Sequence, residues 1–274
     1  MRALVIGING FLGTALTEAC LAKGWDTEGV HFRTYSPVGI KSTEMSDLAA
    51  LKPDYDYVFL LAAKIPYGKY NEPDMSVVEA NVILVHTVCK HFPNAKIVYS
   101  SSISVYGTPP LHEKITENTP LNHPPLYGLS KLSGEYIVRN HPHFSIVRFT
   151  SLYGKGMNTG TILPSMIHQA KTTGKIAIWG TGERKQDYIH VSDAAQYLIA
   201  AAERGENEVY LGVTGESIAN LDLAYLIQSL VGKCEIFFYG EDASPSFEYN
   251  SSHTINVLRY TPNISLSKGI KTLL

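Results

Sequence analysis

Three glycines follow a short apolar run near the first residue of the chain, and they restrict how this part of the chain can fold. The apolar run extends from Ala3 to Ile6, the glycines are Gly7, Gly10 and Gly13, and a helical pattern of apolar residues follows. This order predicts a strand, a tight turn and a helix. One glycine would form the turn, another would let backbone N–H groups approach a pyrophosphate, and the third would let the helix pack against the strand. The segment predicts a dinucleotide-binding site, and the alternative is a strand-to-helix turn that binds no ligand.

Apolar runs of strand length alternate with helical patterns through the first half of the chain. The predicted strands are Thr27–Phe32, Asp54–Ala62, Ala95–Ser101 and Phe144–Phe149, and the predicted helices are Met75–His91 and Tyr127–Val138. Strands that alternate with helices form right-handed crossovers and a parallel sheet. The pattern therefore predicts an α/β fold.

The pattern is looser in the second half of the chain, and no repeat, low-complexity tract or linker interrupts it. Short strands are predicted at Lys175–Trp179 and Glu208–Val213, among helices at Ile162–Lys171, Ala194–Arg204 and Leu221–Val231, with a last helical turn after Ser265. We predict that residues 1–160 form the dinucleotide-binding domain. Residues 161–274 would form mostly a substrate-binding lobe, interwoven with the sheet rather than independent of it.

Composition and charge restrict the partners and the cellular location that we expect. The net charge of −2 comes with scattered lysines and arginines, so we expect no nucleic-acid partner. Three widely spaced cysteines, an odd number, indicate reduced core residues rather than disulfides. No apolar stretch is long enough to span a bilayer, and glycines interrupt the first apolar run. We expect a cytoplasmic protein with no membrane partner and no metal site.

The end of the second predicted strand indicates which dinucleotide binds. A carboxylate there would hydrogen-bond to the ribose 2′-hydroxyl of NAD, but the chain has His31, Phe32 and Arg33 instead. The planar guanidinium of Arg33 can pair with the 2′-phosphate of NADP. We therefore expect NADP or NAD as the cofactor, with NADP favoured. The alternative is that Arg33 is a solvated surface residue.

Hydroxyl groups cluster where the fourth predicted strand ends, and a tyrosine–lysine pair opens the next helix. The strand continues into a serine-rich segment from Ser100 to Ser104, at the edge where ligands bind in open α/β sheets. Tyr127 and Lys131 are four residues apart and therefore share one helix face. A cation beside a phenol favours the phenolate, so such a pair can relay a proton. The alternative for the pair is an ordinary amphipathic helix with one solvated lysine.

These residues occur together in the order and spacing of a known family. The matching motifs are the glycines Gly7, Gly10 and Gly13, Leu61–Ala63, Asn81, Ser100–Gly107, Tyr127 with Lys131, Arg148–Gly154 and Asp187–Asp193. On these motifs the chain resembles the extended short-chain dehydrogenase/reductase family, particularly its nucleotide-sugar epimerase and dehydratase branch, over nearly all of its length. The resemblance implies a Rossmann-type doubly wound parallel sheet with a small, interwoven C-terminal substrate lobe.

The resemblance also implies four catalytic residues. Ser102 would hydrogen-bond to the reacting oxygen, and Tyr127 would be the acid/base. Lys131 would lower the pKa of Tyr127 and hold the nicotinamide ribose, and Asn81 would support the lysine and a water chain. Together they would serve hydride transfer between a nicotinamide and a sugar carbinol or keto carbon.

The same resemblance assigns the binding residues. The expected cofactor-binding residues are Gly7, Asn9, Gly10, Phe11, Leu12, Gly13, His31, Arg33, Leu61, Ala62, Ala63, Tyr127 and Lys131. The expected substrate-binding residues are Ser102, Ser104, Ser151, Arg184, Lys185 and Gln186.

Three departures from the family pattern bear on the substrate. Ile103 and Ser104 replace the Asp–Glu pair of family dehydratases, which argues against dehydration. Gln186 stands where an arginine usually binds the nucleotide diphosphate, so Arg184 or Lys185 would have to replace it. The C-terminal lobe is predicted to be abbreviated, because only the polar, loop-like segment Asp242–Asn256 separates the strand near Cys234 from the last segment.

We therefore expect an NAD(P)-dependent nucleotide-sugar epimerase-like enzyme. One alternative is an NADPH-dependent keto-sugar or carbonyl reductase, and another is an NADP-binding regulator without catalysis. We also expect a homodimer, because the family pairs the helices that correspond to Met75–His91 and Tyr127–Val138, and both are rich in apolar residues here.

Overall fold

The computed structural model describes residues 1–32, 39–65, 75–108 and 113–274. Its strands are β1 Arg2–Ile6, β2 Asp26–His31, β3 Ser42–Glu44, β4 Tyr57–Leu60, β5 Lys96–Ser102, β6 Phe144–Phe149, β7 Ser151–Tyr153, β8 Lys175–Trp179, β9 Lys185–Gln186, β10 Tyr188–His190, β11 Val209–Gly212, β12 Ile218–Ala219 and β13 Glu235–Tyr239. Its α-helices are α1 Phe11–Ala22, α2 Met75–Val78, α3 Leu84–His91, α4 Leu126–Val138, α5 Ile162–Thr173, α6 Val191–Arg204, α7 Asn220–Val231, α8 Ser252–Leu258 and α9 Leu266–Lys271. A π-helical turn, Glu79–Ile83, joins α2 to α3, and 3₁₀ turns form Met45–Ala50 and Ile103–Tyr106.

Within the described residues, seven parallel strands form the central sheet in the order β11-β6-β5-β4-β1-β2-β3. The chain builds outward from β1 to β2 and β3, and then returns to the other side of β1 to add β4, β5 and β6. The direction of winding therefore reverses between β1 and β4, where ligands bind in open α/β sheets. The predicted Rossmann-type doubly wound sheet is confirmed.

Two apolar layers cover the faces of this sheet. Side chains of β1 alternate between them: Ala3 and Val5 join the core beneath α1 and α6, whereas Leu4 and Ile6 join the core beneath α3 and α4. All four residues are fully buried. Burial on both faces explains why β1 is a continuous apolar run rather than an alternating one.

The second half of the chain contributes both to the sheet and to a separate apolar cluster. Strand β11 pairs in parallel with β6 at the edge of the sheet. Helices α5, α7 and α9 pack with β8 around another core, which includes Leu163, Ile176, Leu223 and Ile270. The division at residue 160 stays a prediction, because β11 lies beyond that boundary in sequence and within the sheet in space.

One predicted loop is wrong in part. The segment Asp242–Asn256 is polar, but α8 begins at Ser252 within it. Thr254 of this helix is fully buried and its hydroxyl donates to Glu117, while its Oγ1 accepts from the Leu211 N–H at 2.7 Å. Because the buried face of α8 carries a polar residue that hydrogen-bonds to buried groups, the segment lacks the apolar periodicity that predicts a helix. In the described ranges, no helix combines the length and the apolar character that a membrane span requires.

Candidate active site

The glycine turn after β1 has the geometry of an anion-binding cradle. Gly7 has a φ of +95°, which favours glycine, and a Cβ at Gly13 would overlap the carbonyl oxygen of Gly7. Gly10 is the N-cap of α1 and provides no side-chain cap for the first N–H groups of the helix. These N–H groups and the positive end of the helix dipole are therefore available to an anion.

A first cavity of about 910 Å³ lies along this turn, within the range of roughly 300–1,000 Å³ common for ligand sites. Of the expected cofactor-binding residues, those that line it are Gly7, Asn9, Gly10, Phe11, Leu12, Gly13, Leu61, Ala62, Ala63, Tyr127 and Lys131. His31 does not line it, although its neighbour Phe32 does, and Arg33 lies outside the described residues. The glycine cradle and the size of the cavity fit a dinucleotide.

Lys131 is buried to an unusual degree for a lysine. It is 1% exposed, and desolvation lowers its pKa to about 7, against a smaller opposing effect of the Glu135 carboxylate. Its Nζ lies 4.2 Å from the centroid of the Tyr99 ring, a cation–π contact. Tyr127, one turn earlier on α4, is half-buried and lines the same cavity.

Asn81 connects the π-helical turn to the end of β4 and to the start of α4. Its Oδ1 accepts from the Lys64 N–H at 2.8 Å, and its Nδ2 donates to the Lys64 carbonyl at 3.0 Å and to Ser130 Oγ at 2.9 Å. The Ser130 hydroxyl donates to the Tyr127 carbonyl at 2.8 Å. Among the described residues Asn81 makes no hydrogen bond to Lys131, so it positions the backbone of α4 rather than the ammonium group.

Ser102 ends β5 and caps the 3₁₀ turn that follows. Its Oγ accepts from the Ser104 N–H at 3.1 Å and lies 3.1 Å from Ser104 Oγ, to which it donates. Ser100, two residues earlier, lines the first cavity, whereas Ser104 lines a second one. The serine-rich segment therefore runs from one cavity to the other.

The second cavity, of about 440 Å³, contains four of the six expected substrate-binding residues. These are Ser104, Ser151, Arg184 and Gln186. Ser102 is absent from its lining, and so is Lys185, whose Nζ pairs with Glu248 at 3.3 Å on the surface. Of the two candidates to replace the missing arginine, only Arg184 lines this cavity.

Three elements contribute neighbouring residues to both cavities. The end of β5 provides Ser100 to the first cavity, and the 3₁₀ turn that follows provides Ser104 to the second. Strand β7 provides Leu152 to the first cavity and Ser151 to the second. At the start of α4, Tyr127 lines the first cavity and Pro125 lines the second. The tyrosine and the serine-rich segment therefore lie on elements that contribute to both cavities.

A buried ion pair that sequence reasoning missed fixes α4 to the sheet. Glu135 is fully buried and accepts two hydrogen bonds from Arg148 of β6, at 2.9 and 2.7 Å, and one from the Ser101 hydroxyl at 2.6 Å. The available signal was the position of Glu135 one turn after Lys131, on the face that α4 buries. Because β5, β6 and α4 meet at this carboxylate, the pair orients the helix that carries Tyr127.

The Asp187 motif has a structural role. The buried Asp187 carboxylate accepts from the Thr214 N–H at 3.0 Å, the Thr214 hydroxyl at 2.7 Å and the Gly215 N–H at 2.8 Å. Burial raises the pKa of this carboxyl group, and these donors oppose the shift. Asp187 therefore holds the loop after β11 against the rim of the second cavity.

Comparison with known proteins agrees with this arrangement. The sequence model of the NAD dependent epimerase/dehydratase family matches residues 3–211. The uncharacterised UDP-glucose epimerase YtcB of Bacillus subtilis is 24% identical over 98% of this chain and 96% of its own. A dTDP-4-dehydro-6-deoxy-D-allose reductase of Streptomyces bikiniensis is 25% identical over 85% of this chain and 82% of its own.

A solved structure shares the whole architecture. The UDP-glucuronic acid 4-epimerase of Bacillus cereus, in complex with UDP-glucuronic acid and NAD, superimposes with a TM-score of 0.84 at 25% identity. The match covers 99% of this chain and 97% of that one.

Proposed function

Because the chain belongs to the NAD-dependent epimerase/dehydratase family, we propose that it is an NAD(P)-dependent nucleotide-sugar epimerase. The observation that supports this most is the position of Tyr127 and the serine-rich segment on elements that line both a dinucleotide-sized cavity and a second cavity. Relatives that are described as UDP-sugar epimerases match nearly the full chain. The absence of the Asp–Glu pair after Ser102 favours epimerisation over dehydration.

In this proposal Tyr127 and Ser102 act on the reacting sugar oxygen, and Lys131 and Asn81 support Tyr127. Tyr127 takes the proton of the sugar hydroxyl as the carbinol carbon becomes a carbonyl, and returns it when the carbonyl is reduced. The Ser102 hydroxyl donates to the same oxygen and stabilises its developing charge. Lys131 places a cation beside the phenol, and Asn81 fixes the first turn of α4. A bound nicotinamide dinucleotide supplies the hydride acceptor and donor.

The glycine turn would hold the dinucleotide, and the N–H groups at the start of α1 would bind its pyrophosphate. The solved relative from Bacillus cereus binds NAD. For this chain we propose a preference for NADP, because no carboxylate follows β2 and Arg33 provides a guanidinium close to that position in sequence.

We propose a homodimer in which α2, α3 and α4 form the contact. The large apolar side chains that these helices and the π turn expose are Met75, Val78, Ile83, Leu126, Leu129 and Tyr136. Light scattering should give twice the mass of one chain, and a monomer at micromolar concentration would contradict the proposal.

A keto-sugar reductase is the second candidate. It is supported by the reductase relative from Streptomyces bikiniensis and by Gln186 in place of the usual arginine. Both functions use the same catalytic residues. They differ in cofactor exchange, because a reductase must release its oxidised cofactor after each turnover whereas an epimerase regenerates it in place.

Replacement of Tyr127 by phenylalanine tests the proposed chemistry. The ring still packs while the proton relay is lost, so we expect turnover to fall by about 10²–10⁴ and dinucleotide affinity to change by no more than about threefold. Turnover is measured with UDP-glucose, and affinity by fluorescence titration. Tyr225→Phe, which alters an exposed ring on α7 outside the proposed dimer contact, is the control. Full activity of Tyr127→Phe would rule out the proposed acid/base.

A further inference from the structure

Strand β13 exposes aromatic side chains on both of its faces. In the described ranges it pairs with β8 alone, so its other edge is not covered by a strand. Phe237 and Tyr239 lie on one face and Phe238 on the other, because successive residues of a strand point to opposite sides. Their exposed fractions are 41%, 45% and 53%, and Trp179, at the end of β8, is 50% exposed. We call these four residues the aromatic edge.

The aromatic edge lacks the features that usually prevent sheet edges from pairing. Natural edge strands often carry a lysine, a proline or a bulge, whereas β13 has the sequence EIFFY and an unbroken register with β8. Its one charged residue, Glu235, is at the first position and pairs with Lys175 at 3.4 Å. The ring of Tyr239 contacts those of Trp179 and Phe237, with centroids 4.6 and 6.3 Å away, so the aromatic surface is continuous.

The backbone of β13 offers hydrogen-bonding groups along its outer edge. The Glu235 N–H and the Tyr239 carbonyl form hydrogen bonds of 2.9 Å to the two residues that flank β8, so both residues direct their backbone groups toward β8. Backbone groups alternate in direction along a strand. The N–H and C=O groups of Ile236 and Phe238 therefore point away from β8, toward the outer edge.

We propose that β13 pairs in antiparallel orientation with β13 of a second copy of this chain, with Phe237 at the centre of the pairing. Ile236 of each copy is then opposite Phe238 of the other. Both residues have outward backbone groups, so each such pair exchanges two hydrogen bonds. The pairing joins the two-stranded sheets of both copies into one and brings their aromatic edges into contact. This inference goes beyond the proposed function and does not depend on it.

The charges at the two ends of β13 favour an antiparallel second copy as the occupant. Lys233 precedes the strand and Glu241 follows it, and both are exposed. Each lies four residues from Phe237. A two-fold axis at Phe237 therefore brings the lysine end of each copy to the glutamate end of the other, and does so twice. A parallel pairing would instead place lysine near lysine and glutamate near glutamate.

The size of the aromatic edge indicates a weak contact. An aromatic side chain buries roughly 150–250 Å² in all, so four half-exposed rings offer roughly 300–500 Å² per copy. A stable interface takes about 800 Å² from each partner. The copies should therefore associate through β13 only at high protein concentration, in addition to the helical dimer proposed above.

Sedimentation velocity at increasing protein concentration tests this association. The mass of the unaltered protein should double between about 5 and about 500 µM, whichever species is present at the lower concentration. Phe238→Lys places a charge on the edge and should weaken the association about tenfold or more. Tyr225→Lys is the matched control, because Tyr225 is also 53% exposed and lies on α7. It should associate like the unaltered protein.

Cysteine cross-linking tests the register. Phe237 is opposite its own copy as a non-hydrogen-bonded pair, with Cα atoms about 4.5 Å apart, which is within the range of a disulfide. Phe237→Cys should therefore form a disulfide between copies under mild oxidation. Tyr239→Cys is the control, since Tyr239 is similarly exposed but would lie roughly 14 Å from its own copy in this register.

A mass that stays constant over the whole concentration range would overturn the proposal. So would self-association of Phe238→Lys equal to that of the unaltered protein, or equal cross-linking of the two cysteine variants. Binding to phosphatidylcholine vesicles without self-association would indicate a membrane as the occupant and would also overturn it. These measurements need no substrate, so a failure of the proposed epimerase activity would not affect them.

Discussion

At the scale of single residues, the site depends on groups that the fold holds away from water. Lys131 is the clearest case, because a fully buried ammonium group is stabilised here by an aromatic face and a nearby carboxylate rather than by solvent. A buried charged residue of this kind lowers the free energy of unfolding relative to an apolar residue of similar size at the same position.

The pH dependence of unfolding should reveal this cost. Lys131 has a pKa of about 7 in the folded protein without dinucleotide, whereas an unfolded lysine keeps its proton to about pH 10.4. Between these values the unfolded chain binds more protons, so the free energy of unfolding rises with pH. Lys131→Met should therefore stabilise the protein, and by more at pH 6 than at pH 9, as measured by urea unfolding.

Lys155→Met is the control, since Lys155 is exposed and its replacement should not change stability at either pH. If Lys131→Met raised the free energy of unfolding by the same amount at pH 6 and pH 9, this result would contradict the conclusion that burial lowers the pKa of Lys131.

Arg33 is the residue on which the cofactor preference depends. If its guanidinium pairs with the 2′-phosphate, NADP should bind more tightly than NAD, and Arg33→Ala should remove the difference. The loss of one charge-assisted pair costs roughly 1.5–3 kcal/mol, which titration resolves. Equal affinities of the unaltered protein for the two dinucleotides would refute the preference and leave NAD as an equal ligand.

At the scale of elements, the helical run from Met75 to His91 shows what a periodic pattern can and cannot predict. Its apolar spacing correctly predicts a helix beneath the sheet, because Val77, Val85 and Val88 are buried. The π-helical turn Glu79–Ile83 within it gives no sequence period of its own. That turn carries Asn81, whose bonds to Lys64 and Ser130 depend on long-range contacts.

Short elements of the site escape prediction for a related reason. Strand β7 has only three residues, Ser151–Tyr153, and pairs with β10, about forty residues further along the chain. Neither strand is long enough to show an alternating pattern. The long strands β1, β5 and β6 were predictable because their side chains are buried on both faces of the sheet.

At the scale of the whole molecule, the glycine turn and the candidate catalytic serine-rich segment lie at one edge of the sheet because they follow the carboxyl ends of β1 and β5, parallel strands with β4 between them. This part of the site was predictable from motif order, since parallel strands end at one edge. The second cavity was predictable only in part, because the family motifs indicated Ser104, Ser151, Arg184 and Gln186, whereas Pro245 and Thr108 come from segments with no common pattern.

An epimerase oxidises and reduces the same sugar within one closed cycle, so its dinucleotide is regenerated in place. The most direct test measures the dinucleotide that stays with the purified protein after gel filtration, and then offers UDP-glucose without added cofactor. We expect one released NAD(P) per chain and conversion of UDP-glucose to an epimeric UDP-sugar. A cofactor-free protein that oxidises NADPH only when a keto substrate is supplied would contradict it and identify a reductase.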